Sequence, residues 1–432
     1  MNPFSALLDM FDTIGQIFSA GLSVWYLILP PFMLYIFKIL WMYHINGKYA
    51  MKLNWVLLEI IPSREIEKSP LPMESIYSGF AGVIKGYTTN EQWVIGMFPV
   101  AFSLEMASIE GRVHMYIKTQ TGYRNLVEAH FYAQYPDIEL VEVPDYVNEV
   151  PRSVPNKDWD LWGCDFILTK HDFYPIRTYK HFEESVTGKM IDPLAGLIET
   201  MGKIGPGQHI WFQLISTPMN EDWLPDRQGV IDEFLGKAEE EGQSILVRFF
   251  QDIGDVFANL TKGLMGSEIT WKAAAEAEAK EEQPVEFRLT PGQKKVLEAL
   301  EQNIGKQMFN VRMRFILVGR RETFSKPFVS AFIGGIKQFN DYNLNGFKPE
   351  DISKTEALYF AVEPRLRYRQ RRIFRRYIDR DGTPDATKFM LSSEELATIF
   401  HIPDMQVVAP AMSRVIAKRG GAPTNLPVQD LE

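Results

Sequence analysis

GMFPVAFSLEMASIEGRVHMYIK, residues 96–118, decides the reading of this chain. Its first part, Gly96–Ile109, is an apolar run. Its second part, Arg112–Lys118, alternates so that Val113, Met115 and Ile117 share one face, which is the two-residue period of a β-strand. Working outward, Leu53–Ile61 (LNWVLLEII) reads as a strand, and Ser69-Pro70 opens a helix with the serine as N-cap and the proline at the first helical position. On the other side come a helix over Gly122–Gln134 and a strand over Ile138–Val143. The order β-α-β-β-α-β is the ferredoxin-like pattern, in which two helices cover one face of an antiparallel sheet, and it predicts an α+β fold for residues 53–150.

The pattern recurs over residues 155–350. Leu161–Thr169 is a strand, Asp192-Pro193-Leu194 opens a helix as Ser69-Pro70-Leu71 does, and His209–Ser216 is a strand. Val311–Val318 alternates with Val311, Met313, Phe315 and Leu317 on one face, Pro327–Phe339 is helical, and a short strand follows Asn345-Gly346. Two tandem ferredoxin-like units are therefore expected, the second interrupted by a helical insertion over residues 218–308. Within the insertion, Phe250, Ile253, Phe257, Leu260 and Leu264 form one apolar face that packs on the domain or touches a membrane, and AAAEAEAKEEQP follows as an exposed helix or semi-rigid linker. A helix resumes at Thr290-Pro291, where Thr290 and Gln293 form a capping box.

Before the first strand, Gly21–Tyr43 reads GLSVWYLILPPFMLYIFKILWMY, 23 residues with one charge. At ~1.5 Å per residue such a helix covers the ~30 Å hydrocarbon layer of a bilayer. Lys38 lies near one end, where its stem reaches the headgroups; Trp25 and Trp41 suit the interfacial belts; Pro30 and Pro31 predict a kink. Only Asp9 and Asp12 precede the segment, whereas Lys38, Lys48, Lys52 and Arg64 accompany or follow it. The positive-inside bias then predicts a single-pass protein with its N-terminus outside and its C-terminal bulk in the cytoplasm. Residues 1–20 carry Leu7, Leu8, Phe11, Ile14, Ile17 and Phe18 at helical spacing, an amphipathic segment suited to the outer membrane interface or to a partner.

With 46% apolar and 23% charged residues, the 432-residue chain has the composition of folded, multidomain material. One cysteine, Cys164, excludes an internal disulfide framework and a structural zinc site, and a net charge of −9 excludes nucleic-acid binding by overall charge. No stretch matches GxxxxGK followed by Ser or Thr, no GxSxG elbow occurs, and the seven histidines show no HExxH spacing. No catalytic residue, cofactor site or metal site is expected, and the chain reads as no enzyme. Glu59, Glu105 and Glu139, in or beside apolar strands, read as satisfied structural carboxylates.

One local feature is sharp. RLRYRQRRIFRRYIDR, Arg365–Arg380, holds eight arginines. On a helix, Arg365, Arg369, Arg372 and Arg376 form one stripe, and Ile373, Phe374, Tyr377 and Ile378 another. Such a helix neutralises DNA phosphates, holds anionic lipid headgroups, or pairs with an acidic surface, its own protein's included. The basic helical region is placed at 351–400 and an extended tail at 401–432, where Pro423, Asn425 and Pro427 suit a peptide laid on a partner.

Residues 55–82 (WVLLEIIPSREIEKSPLPMESIYSGFAG), 129–146 (AHFYAQYPDIELVEVPDY), 192–218 (DPLAGLIETMGKIGPGQHIWFQLISTP) and 289–319 (LTPGQKKVLEALEQNIGKQMFNVRMRFILVG) resemble the region that precedes the motor in conjugation-type (type IV secretion) ATPases. The likeness is to a stand-alone, membrane-anchored form typical of candidate-phylum bacteria. Residues 392–427 (SSEELATIFHIPDMQVVAPAMSRVIAKRGGAPTNLP) resemble the junction at which fused relatives enter the ATPase domain. The resemblance implies a scaffold that docks a separate P-loop ATPase at the inner membrane, with membrane lipid, DNA at the basic helix, and further copies of itself as the other expected partners.

Overall fold

The alternation of Val113, Met115 and Ile117 is realised as one strand of a large antiparallel sheet in a computed structural model, which describes residues 25–63, 69–182, 191–234, 290–380 and 387–404. In chain order the elements are α1 (Trp25–Ala50), β1 (Trp55–Ile61), α2 (Leu71–Phe80), β2 (Phe102–Ile109), β3 (Arg112–Gln120), α3 (Arg124–Gln134), β4 (Glu139–Glu142), β5 (Trp159–Leu168), α4 (Ala195–Gly202), β6 (Gln208–Pro218) and α5 (Leu224–Phe234), followed by α6 (Pro291–Ile304), β7 (Met308–Arg320), α7 (Pro327–Ile336), β8 (Phe347–Pro349), α8 (Val362–Ile378), β9 (Phe389–Ser392) and α9 (Ser393–Ile399). The fold is mixed α+β.

The strands lie in the order β4-β1-β3-β2-β6-β7-β5-β8, with β9 on the first residues of β7. In each half, the first strand lies between the third and the fourth, and the second stands at the inner edge. The two inner edges pair: β2 and β6 run antiparallel from Phe102↔Ser216 to Ile109↔His209, fusing the halves into one sheet. Because side chains alternate along each strand, the sheet has two distinct faces. One is covered by α2, α3, α4, α7 and α9, whose Phe80, Phe131, Leu197, Phe332 and Leu396 pack with Leu104, Met115, Phe212 and Phe315. Phe80 stacks on Phe102 at 4.3 Å and Phe332 on Phe315 at 4.2 Å. The other face, with Leu57, Tyr116, Trp211 and Ile316, is covered by α8 and by the turn at Tyr146-Val147.

Several local expectations change. Ser69 does not cap α2; Pro70 occupies the N-cap position, with no side-chain cap. The capping box of Thr290 and Gln293 forms at α6. The region 351–400 is more than a basic helix. After α8 the chain adds β9 to the sheet, and Ser392 and Glu395 form a second capping box that starts α9, every residue of which is buried. A four-residue strand has too short a period to read from sequence, and α9 is specified by its cap and its burial.

Trp25, Pro30, Pro31, Lys38 and Trp41 all fall in α1, the Trp25 side chain lying outside what is described. Among the described residues, no helix is long and apolar enough to cross a membrane. The expected span begins at Gly21, before the first described residue, and α1 runs on past Tyr43 through His44, Asn46 and Lys48. Phe32, Met33, Leu34, Tyr35, Phe37 and Leu40 are exposed, whereas Ile45 is buried. The C-terminal part of α1 is seated on the 91–98 turn: Trp41 donates to the Trp93 carbonyl at 2.8 Å, Lys38 lies 5.4 Å above the Trp93 ring, and Tyr49 meets Phe98 edge-on. Gly96 makes this seat possible. Its φ is +80°, and a Cβ there would stand 2.5 Å from the Ile45 carbonyl oxygen. The 1–20 segment, the Phe250–Leu264 face, and Pro423, Asn425 and Pro427 lie outside the described residues.

Candidate functional site

The site is built where α8 crosses the middle of the sheet. Ile373, Phe374 and Tyr377 form the apolar face of α8, and the last two stack on Trp211 of β6, with ring centroids at 6.1 and 5.3 Å. The helix comes this close because β5 offers Gly163 beneath it. A Cβ on Gly163 would stand 2.9 Å from the Phe315 carbonyl oxygen and 3.4 Å from Ile373.

Beside this apolar patch runs a buried polar row. Glu105 of β2, Gln213 of β6, Arg314 of β7 and Asp165 of β5 are successive cross-strand partners, each at most 3% exposed. Their side chains join up: Gln213 donates to Glu105 at 3.0 Å, Arg314 Nη1 to Gln213 at 3.3 Å, and Arg314 Nε to Asp165 at 2.6 Å. The row also receives the end of α8. Arg314 Nη1 donates to the Arg376 carbonyl at 2.6 Å and Gln213 to the Tyr377 carbonyl at 3.3 Å, satisfying acceptors that a helix C-terminus leaves open.

Arg380, just past α8, closes the row on the first half of the sheet. It bonds Glu105 through Nε at 2.8 Å and Nη2 at 2.9 Å, and Asp145 through Nη1 at 2.5 Å and Nη2 at 2.9 Å. Burial alone pushes the Glu105 carboxyl up. The Arg380 charge, with hydrogen bonds from Arg380, Ser103 and Tyr146, outweighs burial and holds it below the usual carboxylate range. Asp145 is held down in the same way by Arg380 and Lys118 against its own burial. Burial works against the Arg380 charge, but the two carboxylates raise its pKa well above the ordinary value. The Tyr146 hydroxyl donates to Glu105 at 2.8 Å and lies 2.7 Å from that of Tyr377; burial, then the Glu105 charge, pushes both phenols up.

The arginine stripe chosen from the sequence turns mostly into the protein. Arg376 is buried, 3.5 Å from Asp165. Arg369 donates to the Lys354 and Glu356 carbonyls at 3.1 and 2.5 Å, and Arg365 to those of Leu358 and Phe360 at 3.2 and 3.4 Å. Arg372 is half-buried. The outward ridge is a different one: Arg367, Arg371 and Arg375 are exposed at i, i+4, i+8, and Arg367 lies 3.3 Å from Glu363. Tyr359 and Phe360, each 87% exposed, stand at the entry to α8, where Tyr359 (φ 72°) and Ala361 (φ 47°) are left-handed.

Sequence reading missed the row, although it noted Glu105 as a satisfied carboxylate, which its partners make it. The legible signal was a charged or amide residue inside each of four largely apolar strands; the register that aligns them was not legible. Glu59 also has its partner, His114 Nδ1 at 2.6 Å. Cys164 is buried, and burial pushes its thiol up. Among the described residues, no group of three or more His, Cys, Asp or Glu side chains is placed to hold a metal ion.

A family model described as a domain of unknown function (DUF8128) matches residues 81–414, well over half of the chain. The chain belongs to the DUF8128 family. The matched range takes in the polar row, α8, β9 and α9, and it starts after α1 and β1. No curated protein matches this DUF8128 chain.

Proposed function

We propose that this DUF8128 chain is a non-catalytic, membrane-attached adaptor of a conjugation-like translocation system that holds a separate P-loop ATPase at the inner membrane. The observation that carries this reading is α1. Large apolar side chains from Leu29 to Trp41 are exposed on all sides of the helix while its C-terminal end is seated on the domain. A helix apolar all round is at home in lipid or in a core, and in water such a surface is costly. In this reading Gly21–Tyr43 spans the bilayer, Lys38, Trp41 and Trp93 lie at the cytoplasmic headgroups, and the sheet, read as two ferredoxin-like units, forms the platform for the motor. The resemblance of residues 55–319 and 392–427 to the pre-motor region of conjugation-type ATPases supports the choice of partner.

The test is fractionation and affinity purification of the full chain from its native host. Retention in membranes after alkaline carbonate washing, release on deletion of residues 1–50, and co-purification of a P-loop ATPase are expected. Recovery in the carbonate supernatant would remove the anchor, and purification without an ATPase would remove the adaptor role. The exposed ridge Arg367, Arg371 and Arg375 favours a second reading, a membrane-tethered nucleic-acid-binding protein. That reading predicts DNA affinity that falls steeply with salt and is weakened uniformly across sequences when the ridge is changed to glutamine.

A further inference from the structure

The turn on which α1 is seated carries an apolar tip. Trp93, Val94 and Ile95 follow one another and are 37%, 66% and 42% exposed. The base of the turn is fixed by polar bonds. Glu91 accepts from the Thr88 amide at 2.9 Å and the Thr88 hydroxyl at 3.0 Å and pairs with Lys85 at 2.7 Å, and the left-handed Gly96 closes the turn. Three successive apolar side chains exposed on a fixed turn are costly in water and mark a contact surface. The tip also has a defined neighbour. Trp41 bonds the Trp93 carbonyl and Lys38 lies over the Trp93 ring, so the tip stands beside the part of α1 that exposes Phe37, Leu40 and Trp41. Lys48 and Lys52, both exposed, follow along the chain.

We propose that this tip is a second membrane contact, in which Trp93, Val94 and Ile95 enter the boundary between lipid headgroups and acyl chains beside α1. The occupant is lipid because the tip continues the surface of a helix that is apolar on all sides, which a bilayer surrounds and a protein partner covers on one side only. Tryptophan suits that boundary, and Lys38, Lys48 and Lys52 suit anionic headgroups. The inference rests on the adaptor reading for the presence of a bilayer at α1. Two contacts instead of one fix the orientation of the sheet. β2 begins at Phe102, just past the tip and opposite Ser216, and β1 begins at Trp55 opposite Gln120. That end of the sheet, which includes the Pro218–Phe309 rung, then faces the bilayer. The β2–β3 hairpin lies at the other end of the eight-residue β2, about 25 Å away at ~3.3 Å per residue.

The test uses the full chain in vesicles of phosphatidylglycerol and phosphatidylcholine, with an NBD fluorophore on Val94→Cys or, as the distant control, on Arg112→Cys. Cys164 is buried and is left as it is. Lipid carrying a nitroxide close to the headgroup is expected to quench the fluorophore at position 94 at least twofold, and lipid carrying it at the chain end to quench less, with position 112 unchanged by either. Iodide in the water is expected to give the reverse order, quenching position 112 more than position 94. Shielding of position 94 from both kinds of quencher would mean that protein and not lipid covers the tip, and overturns the proposal. So does lipid quenching at position 94 no greater than at position 112 in a chain that stays in membranes through alkaline carbonate washing. Loss of the chain from the washed membranes removes the anchor itself and the second contact with it, so the two failures are told apart. The same measurement on Ile95→Cys is expected to repeat the pattern, which keeps the test decisive where one labelled variant fails to fold.

Discussion

Arg380 is the residue on which the buried charge of Glu105 depends. Its guanidinium serves Glu105 and Asp145 together, and Glu105 has no exposed surface. Replacing Arg380 by Met leaves that carboxylate buried and unpaired, which costs about 3–5 kcal/mol. Chemical denaturation should show this loss, and Arg380→Met combined with Glu105→Leu should recover a large part of it; a double variant no better than the single one would place the energy elsewhere. His209, packed between Trp159 and Trp211 at 5.8 and 6.0 Å, gives a pH dependence. Burial depresses its pKa from 6.5 to about 4, so the folded chain keeps the ring neutral while the unfolded chain takes up a proton below about 6.5. Its contribution to stability is complete above pH 6.5 and is lost as the pH falls toward 4, by about 3 kcal/mol at most. The difference in unfolding free energy between pH 7.5 and 4.5 should therefore shrink in His209→Phe. At this scale the sequence announced residue types but not partners. The eight arginines of Arg365–Arg380 were plain, yet which of them face water depends on the rotation of α8 about its axis, and that is set by Phe374 and Tyr377 meeting Trp211.

Elements with a clear period were legible. The alternation in β3 and β7, the proline-marked starts of α2, α6 and α7, and the Thr290 capping box all place elements close to where they stand. What escaped were elements specified by contact: β9, which exists because β7 extends beyond β5, and α9, buried along its whole length. The placement of α8 is also a matter of contact. Gly163→Val would drive a side chain into the Phe315 backbone and against Ile373, and overpacking of this sort costs about 1–3 kcal/mol. A melting temperature lowered by several degrees is expected, with hydrogen exchange in α8 accelerated more than in α2. Equal acceleration in both helices would mean that the whole sheet, and not the docking of α8, had been weakened.

For the molecule as a whole, the joint between halves lies along β2 and β6, with α8 and Arg380 laid across it. The repeated order of elements was visible from residue 53 to residue 350, but their side-by-side fusion was not, because no local pattern says which edges meet. A fragment ending at residue 150 would present the eight-residue edge of β2 unpaired and Glu105 without Arg380. Such an edge recruits other strands. The fragment should self-associate in analytical ultracentrifugation, and co-expression with residues 151–432 should suppress this; a stable monomer would show that each half stands alone. The long excursion between β6 and β7 behaves in the opposite way. It leaves and re-enters on the same rung, where Pro218 faces Phe309 and the Met219 amide bonds the Met308 carbonyl at 3.0 Å, and Ile231 of α5 packs with Val296 and Leu300 of α6. In a connection that packs on nothing, added length enters the stability only through loop closure, at about 0.6 kcal/mol per doubling. Exchanging residues 236–289 for a short Gly-Ser linker should leave the melting temperature within a few degrees. The same interval is accordingly a port into which a fluorescent reporter can be spliced, giving a tagged protein whose two termini stay untouched.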